Sequence, residues 1–137
     1  MIDLDAATGL LRAAREAAAN AYAPYSNFQV GAAVLTADGT VFTGTNVENA
    51  SYPLTVCAER VAVGTAVAAG HREIVAVAVT APRAASVTPC GGCRQVLNEF
   101  KPKSRDMTVI LEGEQGPDIV PLADLLPRSF GPADLEQ

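Results

Sequence analysis

The sequence is short of positive charge and nearly without histidine. Ten lysines and arginines face fifteen acidic residues, a net charge of −5. The longest basic cluster, Lys101-Pro102-Lys103-Ser104-Arg105, is brief and reads as a solvated loop. Phosphate contacts supply most non-specific nucleic-acid affinity, so no nucleic-acid partner is expected. The single histidine, His71, follows Gly70 in a turn, which argues against a Ser/His or Cys/His hydrolase. No apolar run reaches the roughly 18 residues of a membrane span, so no membrane partner is expected. Asp3 and Asp5 stand where a secretory leader would carry positive charge, and no such leader is expected. Three cysteines are an odd number, which argues against a closed disulfide framework and for a reduced, cytoplasmic setting.

What the sequence does have is apolar substance. Apolar residues make up 49 % of the 137, enough for a real core and too many for a disordered chain. No linker or internal repeat appears, and a single domain over residues 1–137 is expected. Helical spacing of Leu4, Leu10, Leu11, Ala14 and Ala18 predicts a helix over 4–22, ended near Pro24. Strands are expected at 28–35 and 41–47, joined by a hairpin turn at Asp38-Gly39. A helix over 57–69 closes at Gly70, and the β-branched run 74–80 reads as a core strand. A loop over 81–88 leads to a helix over 90–100, then a strand over 107–111. An acidic Gly/Pro turn over 112–118, a short strand over 119–122, a helical turn over 123–126 and an irregular tail over 127–131 complete the order. Strands alternating with helices predict an α/β fold, a mixed sheet with helices on its faces.

All three cysteines fall in two short pieces, Thr55-Val56-Cys57-Ala58-Glu59-Arg60 and Thr88-Pro89-Cys90-Gly91-Gly92-Cys93-Arg94-Gln95. Each piece is expected to start a helix, where unpaired N–H groups and the dipole favour a thiolate, the form that binds metal. Three thiolates leave the fourth position of a zinc ion open, as catalysis requires. They also leave an excess negative charge, which Arg60 or Arg94 could offset at sulfur; the alternative for either is a surface ion pair. Glu59 stands two positions after Cys57. Alone it could be a mere dipole-stabilising acid; beside a metal it could handle the protons of a hydrolytic water.

The compound pattern Cys57-x-Glu59 followed by Pro89-Cys90-x-x-Cys93 resembles that of the zinc nucleoside and nucleobase deaminases. Further stretches are similar to the short, homotetrameric cytidine deaminases: Tyr22-Ala23-Pro24-Tyr25-Ser26-Asn27-Phe28-Gln29-Val30-Gly31-Ala32, Gly44-Thr45-Asn46-Val47-Glu48-Asn49-Ala50-Ser51-Tyr52, and Leu125-Leu126-Pro127-Arg128-Ser129-Phe130. The resemblance implies a three-layer α-β-α sandwich around a mixed five-stranded sheet. It implies one Zn2+ per chain on Cys57, Cys90 and Cys93, with Glu59 catalytic and Arg60 moderating the charge on zinc. It implies hydrolytic deamination of cytidine and 2'-deoxycytidine in pyrimidine salvage. Asn46 and Glu48 would hold the ribose hydroxyls, and Phe28, Tyr52 and Ala58 would complete the substrate pocket. Phe130 would reach the site of a neighbouring subunit in a homotetramer with shared active sites. Without the resemblance, Phe28 and Phe130 would read as core residues, and Asn46 and Glu48 as a capped turn.

Three rival readings remain. Cys90-Gly91-Gly92-Cys93 at a helix start imitates a thiol oxidoreductase, but leaves Cys57 and Glu59 idle. A structural zinc module would call for a fourth ligand. A related small-molecule deaminase of the blasticidin S type shares the metal motif, but not the need for a ribose pair.

Overall fold

The computed structural model describes residues 2–136. Asp3 opens helix α1 (Leu4–Ala18) by accepting a hydrogen bond from the Ala6 N–H at 2.8 Å. The chain then forms strands β1 (Gly31–Thr36) and β2 (Val41–Thr45), a 3-10 turn (Tyr52–Leu54) and helix α2 (Ala58–Ala68). Strand β3 (Ile74–Thr80), helix α3 (Gly91–Glu99), strands β4 (Thr108–Gly113) and β5 (Gly116–Pro121), and short helix α4 (Leu122–Leu125) follow. The five strands lie in the order β2-β1-β3-β4-β5; β3 and β4 run parallel and the other neighbours antiparallel.

Alternation along the strands divides the core into two layers. Ala33, Ala76, Ala78 and Ile110 face one way, against Leu10, Leu11 and Ala14 of α1. Val34, Val77, Val79, Val109 and Leu111 face the other way, against Ala62 and Val63 of α2 and Leu97 of α3. This is the expected three-layer sandwich. The α1 side is lined by alanine, so the helix lies close to the sheet. A Cβ on Gly31 would fall 1.9 Å from the Ala14 carbonyl oxygen, so only glycine fits there.

Several boundaries differ from expectation, each for a local reason. Helix α1 stops at Ala18 rather than 22, and Tyr22 instead bridges to Val47, its N–H donating to the Asn46 carbonyl at 3.1 Å. The first strand starts at Gly31 rather than 28, because the Val30 N–H is taken by the Asn46 side chain. Strand β2 ends at Thr45, and Val47 leaves the sheet to pair with Val56. The acidic stretch 112–118 is mostly hairpin rather than turn: Gly113 pairs with Gly116 across Glu114-Gln115, and Gly116 has φ +122°. Pro117 and Pro121 are accommodated because β5 is an edge strand.

Candidate metal centre

The antiparallel bridge between Val47 and Val56 delivers the chain to Cys57, whose backbone is extended (φ −72°, ψ 152°) and caps the start of α2. Pro89 delivers Cys90 in the same way: it is extended (φ −66°, ψ 169°) and caps the start of α3. Cys93 follows in the first turn of α3 and is fully buried, whereas Cys57 is half-buried and Cys90 exposed. The three Sγ atoms lie within 4.8 Å of one another, with Cys57 and Cys90 3.9 Å apart. Tetrahedral zinc with Zn–S bonds of about 2.3 Å calls for sulfurs about 3.8 Å apart. All three cysteines are free, and among the described residues no fourth Cys, His, Asp or Glu joins the group. The donor set therefore fits a zinc ion with one position left over.

The electrostatics of the protein groups differ from sulfur to sulfur. Burial pushes the Cys57 and Cys93 thiols up, and the negative charge of Glu59 adds to both. The Cys93 N–H, donating to the Cys90 sulfur, pulls that thiol down. Glu59 is only 5 % exposed, and burial pushes its carboxyl up against its own N–H, the Cys93 thiol and the Arg60 charge. A dication among the sulfurs would favour every thiolate.

Glu59 and Ala58 open α2 beside Cys57, and Ala58 is buried. Arg60 is exposed. Arg94 is not directed at sulfur. Its guanidinium donates to the carbonyls of Pro89 (2.7 Å) and Leu125 (2.8 Å) and to the Thr88 hydroxyl (3.1 Å), strapping α3 to the loops on either side.

The other expected residues assemble through backbone contacts. Asn46, nearly buried, accepts from the Val30 N–H at 2.9 Å and donates to the Phe28 carbonyl at 2.8 Å. Glu48 accepts from the N–H groups of Tyr25 (2.9 Å) and Ser26 (3.1 Å) and from the Ser26 hydroxyl. These bonds, the hydroxyl first, hold its carboxyl below the usual carboxylate range. Asn46 and Glu48 thus clip the 25–30 segment in place. Tyr52 lies edge-on to Tyr25 with ring centres 6.0 Å apart. Phe28 and Phe130 are 37 % and 60 % exposed, so neither is a core residue in the chain as described. A cavity of about 490 Å³ lies at the other end of the sheet, by Thr36, Val75 and Thr108, and none of the cysteines lines it.

Residues not singled out from the sequence also shape the site. Gly44 lies under α2, Arg83 donates to the Asn27 carbonyl at 2.8 Å, and Gln95 and Asn98 both donate to the Phe130 carbonyl. Only Gly44 had a local signal, a glycine inside a strand marking a close backbone approach.

A profile of the cytidine and deoxycytidylate deaminase zinc-binding region matches residues 5–109. A cytidine deaminase of Halalkalibacterium halodurans is 48% identical over 128 residues, 92% of this chain and 95% of that protein. The crystal structure of cytidine deaminase from Burkholderia pseudomallei superposes with a TM-score of 0.80 at 47% identity, covering 89% of this chain and 97% of that one. That of cytidine deaminase from Mycobacterium tuberculosis gives 0.79 at 41% identity, covering 96% and 99%. With its three cysteines gathered as such a zinc site requires, the chain belongs to the cytidine and deoxycytidylate deaminase zinc-binding family.

Proposed function

We propose that this protein catalyses the hydrolytic deamination of cytidine, and of 2'-deoxycytidine, to the uridine product and ammonia. The observation that carries the reading is the buried Glu59 carboxyl beside three convergent cysteine sulfurs that leave one metal position free. Zinc bound there supplies Lewis acidity towards water. Glu59 accepts a proton from the hydrolytic water and passes it to N3 of the cytosine ring. It then takes the second proton, from the oxygen now bonded to C4, and delivers it to the amine as the C4–N4 bond breaks, so that ammonia leaves and the C4 carbonyl forms. Arg60 offsets part of the thiolate charge.

Asn46 and Glu48 hold the ribose. After its two backbone clips, the Asn46 amide still has one N–H and one lone pair, and the Glu48 carboxylate, which accepts three bonds, keeps a lone pair on Oε2. Phe28, Tyr52 and Ala58 line the pocket. Phe130 belongs to the site of a neighbouring chain in a homotetramer, a reading favoured by its exposure. One domain, a place in pyrimidine salvage and a reducing, cytoplasmic location complete the proposal; three free cysteines suit that location.

The test is ultraviolet spectroscopy of cytidine turnover with and without a zinc chelator. Turnover that the chelator abolishes and added zinc restores is expected. Turnover by metal-free protein would overturn the reading.

A further inference from the structure

Helix α3, which carries Cys93, directs its polar side chains at the tail that carries Phe130. Gln95 Nε2 donates to the Phe130 carbonyl at 2.8 Å, and Asn98 Nδ2 donates to the same oxygen at 3.2 Å. The Ser129 hydroxyl donates to Asn98 Oδ1 at 3.4 Å. Asn98 is 3 % exposed, yet both its partners lie in the tail. A buried amide costs stability unless it is bonded, and an apolar residue would fill a helix–core contact without that cost. The role of Asn98 is therefore directional. Gly131 lies against it: a Cβ there would come 2.7 Å from Asn98 Nδ2. The tail forms neither helix nor strand at this point, and Arg128 sits at φ +53°, unusual for a non-glycine residue.

We propose that Gln95 and Asn98 are positioning residues that set where Phe130 is presented, fixing the aromatic ring to the same helix that holds Cys93. Two donors on one carbonyl use both of its lone pairs, and that carbonyl carbon is bonded to the Cα from which the ring springs. Asn98 is five residues beyond Cys93, an axial rise of about 7.5 Å. Metal ligand and tail anchor thus move as one body. The inference rests on the reading that Phe130 touches substrate. If Phe130 serves a neighbouring chain, each metal helix sets an aromatic wall of the next site.

A double-mutant cycle tests this. Gln95→Met/Asn98→Leu, Phe130→Ala and the triple variant are purified, their zinc content is measured, and kcat and KM for cytidine are determined. The loss of both hydrogen bonds to the Phe130 carbonyl, with the longer Ser129–Asn98 bond, predicts a fall in kcat/KM of about 10-fold for Gln95→Met/Asn98→Leu with full zinc. In the Phe130→Ala background the same pair should cost under about 3-fold, because coupled residues are not additive. Full, multiplicative losses beside an impaired Phe130→Ala would overturn the proposal and leave the role of Phe130 intact. Unchanged kcat/KM in Gln95→Met/Asn98→Leu would overturn it too. Normal kcat/KM in Phe130→Ala would overturn the reading of Phe130 and the proposal with it. Should Asn98→Leu fail to fold, Gly131→Ala strikes the same contact from the tail and enters the same cycle.

Discussion

Gly44 of β2 lies directly against Ala58, the first residue of α2: a Cβ on Gly44 would stand 2.5 Å from the Ala58 carbonyl oxygen and 2.4 Å from the Ala62 nitrogen. Ala58 and Ala62, one turn apart on either side of Glu59, are thus seated on the strand with no side chain between them. Gly44→Ala must push the start of α2 outwards, and with it Cys57 and Glu59. The expected cost is about 1–3 kcal/mol in stability, typical of overpacking, with weakened zinc retention. Thermal unfolding and zinc release to a colorimetric chelator measure the two. A Gly44→Ala protein with native Tm and native zinc retention would contradict this close seating.

Glu59→Gln should keep zinc and the fold while losing most turnover. Glutamine preserves shape but cannot carry protons, and general acid–base catalysis is typically worth ~10²–10⁴-fold. Metal analysis and kcat on the same preparation decide it. Near-normal kcat would reduce Glu59 to a helix-start acid.

The proposed sharing of sites between chains predicts complementation. Phe130→Ala chains and Glu59→Gln chains, each weak alone, should recover activity when mixed and reassembled, because some hybrid sites then hold intact Glu59 from one chain and intact Phe130 from another. Native mass spectrometry establishes the mixing. Hybrid tetramers without recovered activity would place Phe130 in its own chain's site.

The Arg15–Glu112 pair gives a pH signature. The Arg15 guanidinium donates to both Glu112 oxygens, the Thr80 hydroxyl donates to the carboxylate at 3.2 Å, and the Arg15 bond above all holds the Glu112 carboxyl below its usual range. A depressed folded pKa stabilises the protein above the unfolded carboxylate pKa and loses that effect as pH falls through the folded value. Arg15 is half exposed, so screening limits the pair to roughly 0.2–1 kcal/mol. Arg15→Gln should therefore lower stability by that amount near neutrality, with the difference fading in acid. Denaturant unfolding at pH 7 and in acid well below the ordinary carboxylate range checks it; an unchanged difference between the two would refute the linkage.

Features read directly from the sequence were those encoded over a few residues. Strand β3 is an unbroken β-branched and alanine run and begins and ends as expected. The Asp38-Gly39 turn appears with Gly39 at φ +91°. The cysteines were legible because each piece starts its own helix, although both helices begin one residue later than expected, leaving Cys57 and Cys90 as caps. What stayed hidden depends on distant partners. Nothing near Arg94 announces a carbonyl 31 residues away, or near Gln95 one 35 residues away. The β4–β5 hairpin was masked by glycine and proline, whose turn preference yielded to pairing at an edge.

The prolines of β5 have a consequence beyond that hairpin. An edge strand offers a row of outward N–H groups to any passing strand. Pro117 and Pro121 lack that group, and edge strands place proline where the N–H would face solvent. Between them only Ile119 shares their side of the backbone, so a strand approaching this edge meets one donor where three would stand. The sheet is closed to extension at this edge by proline rather than by a covering helix.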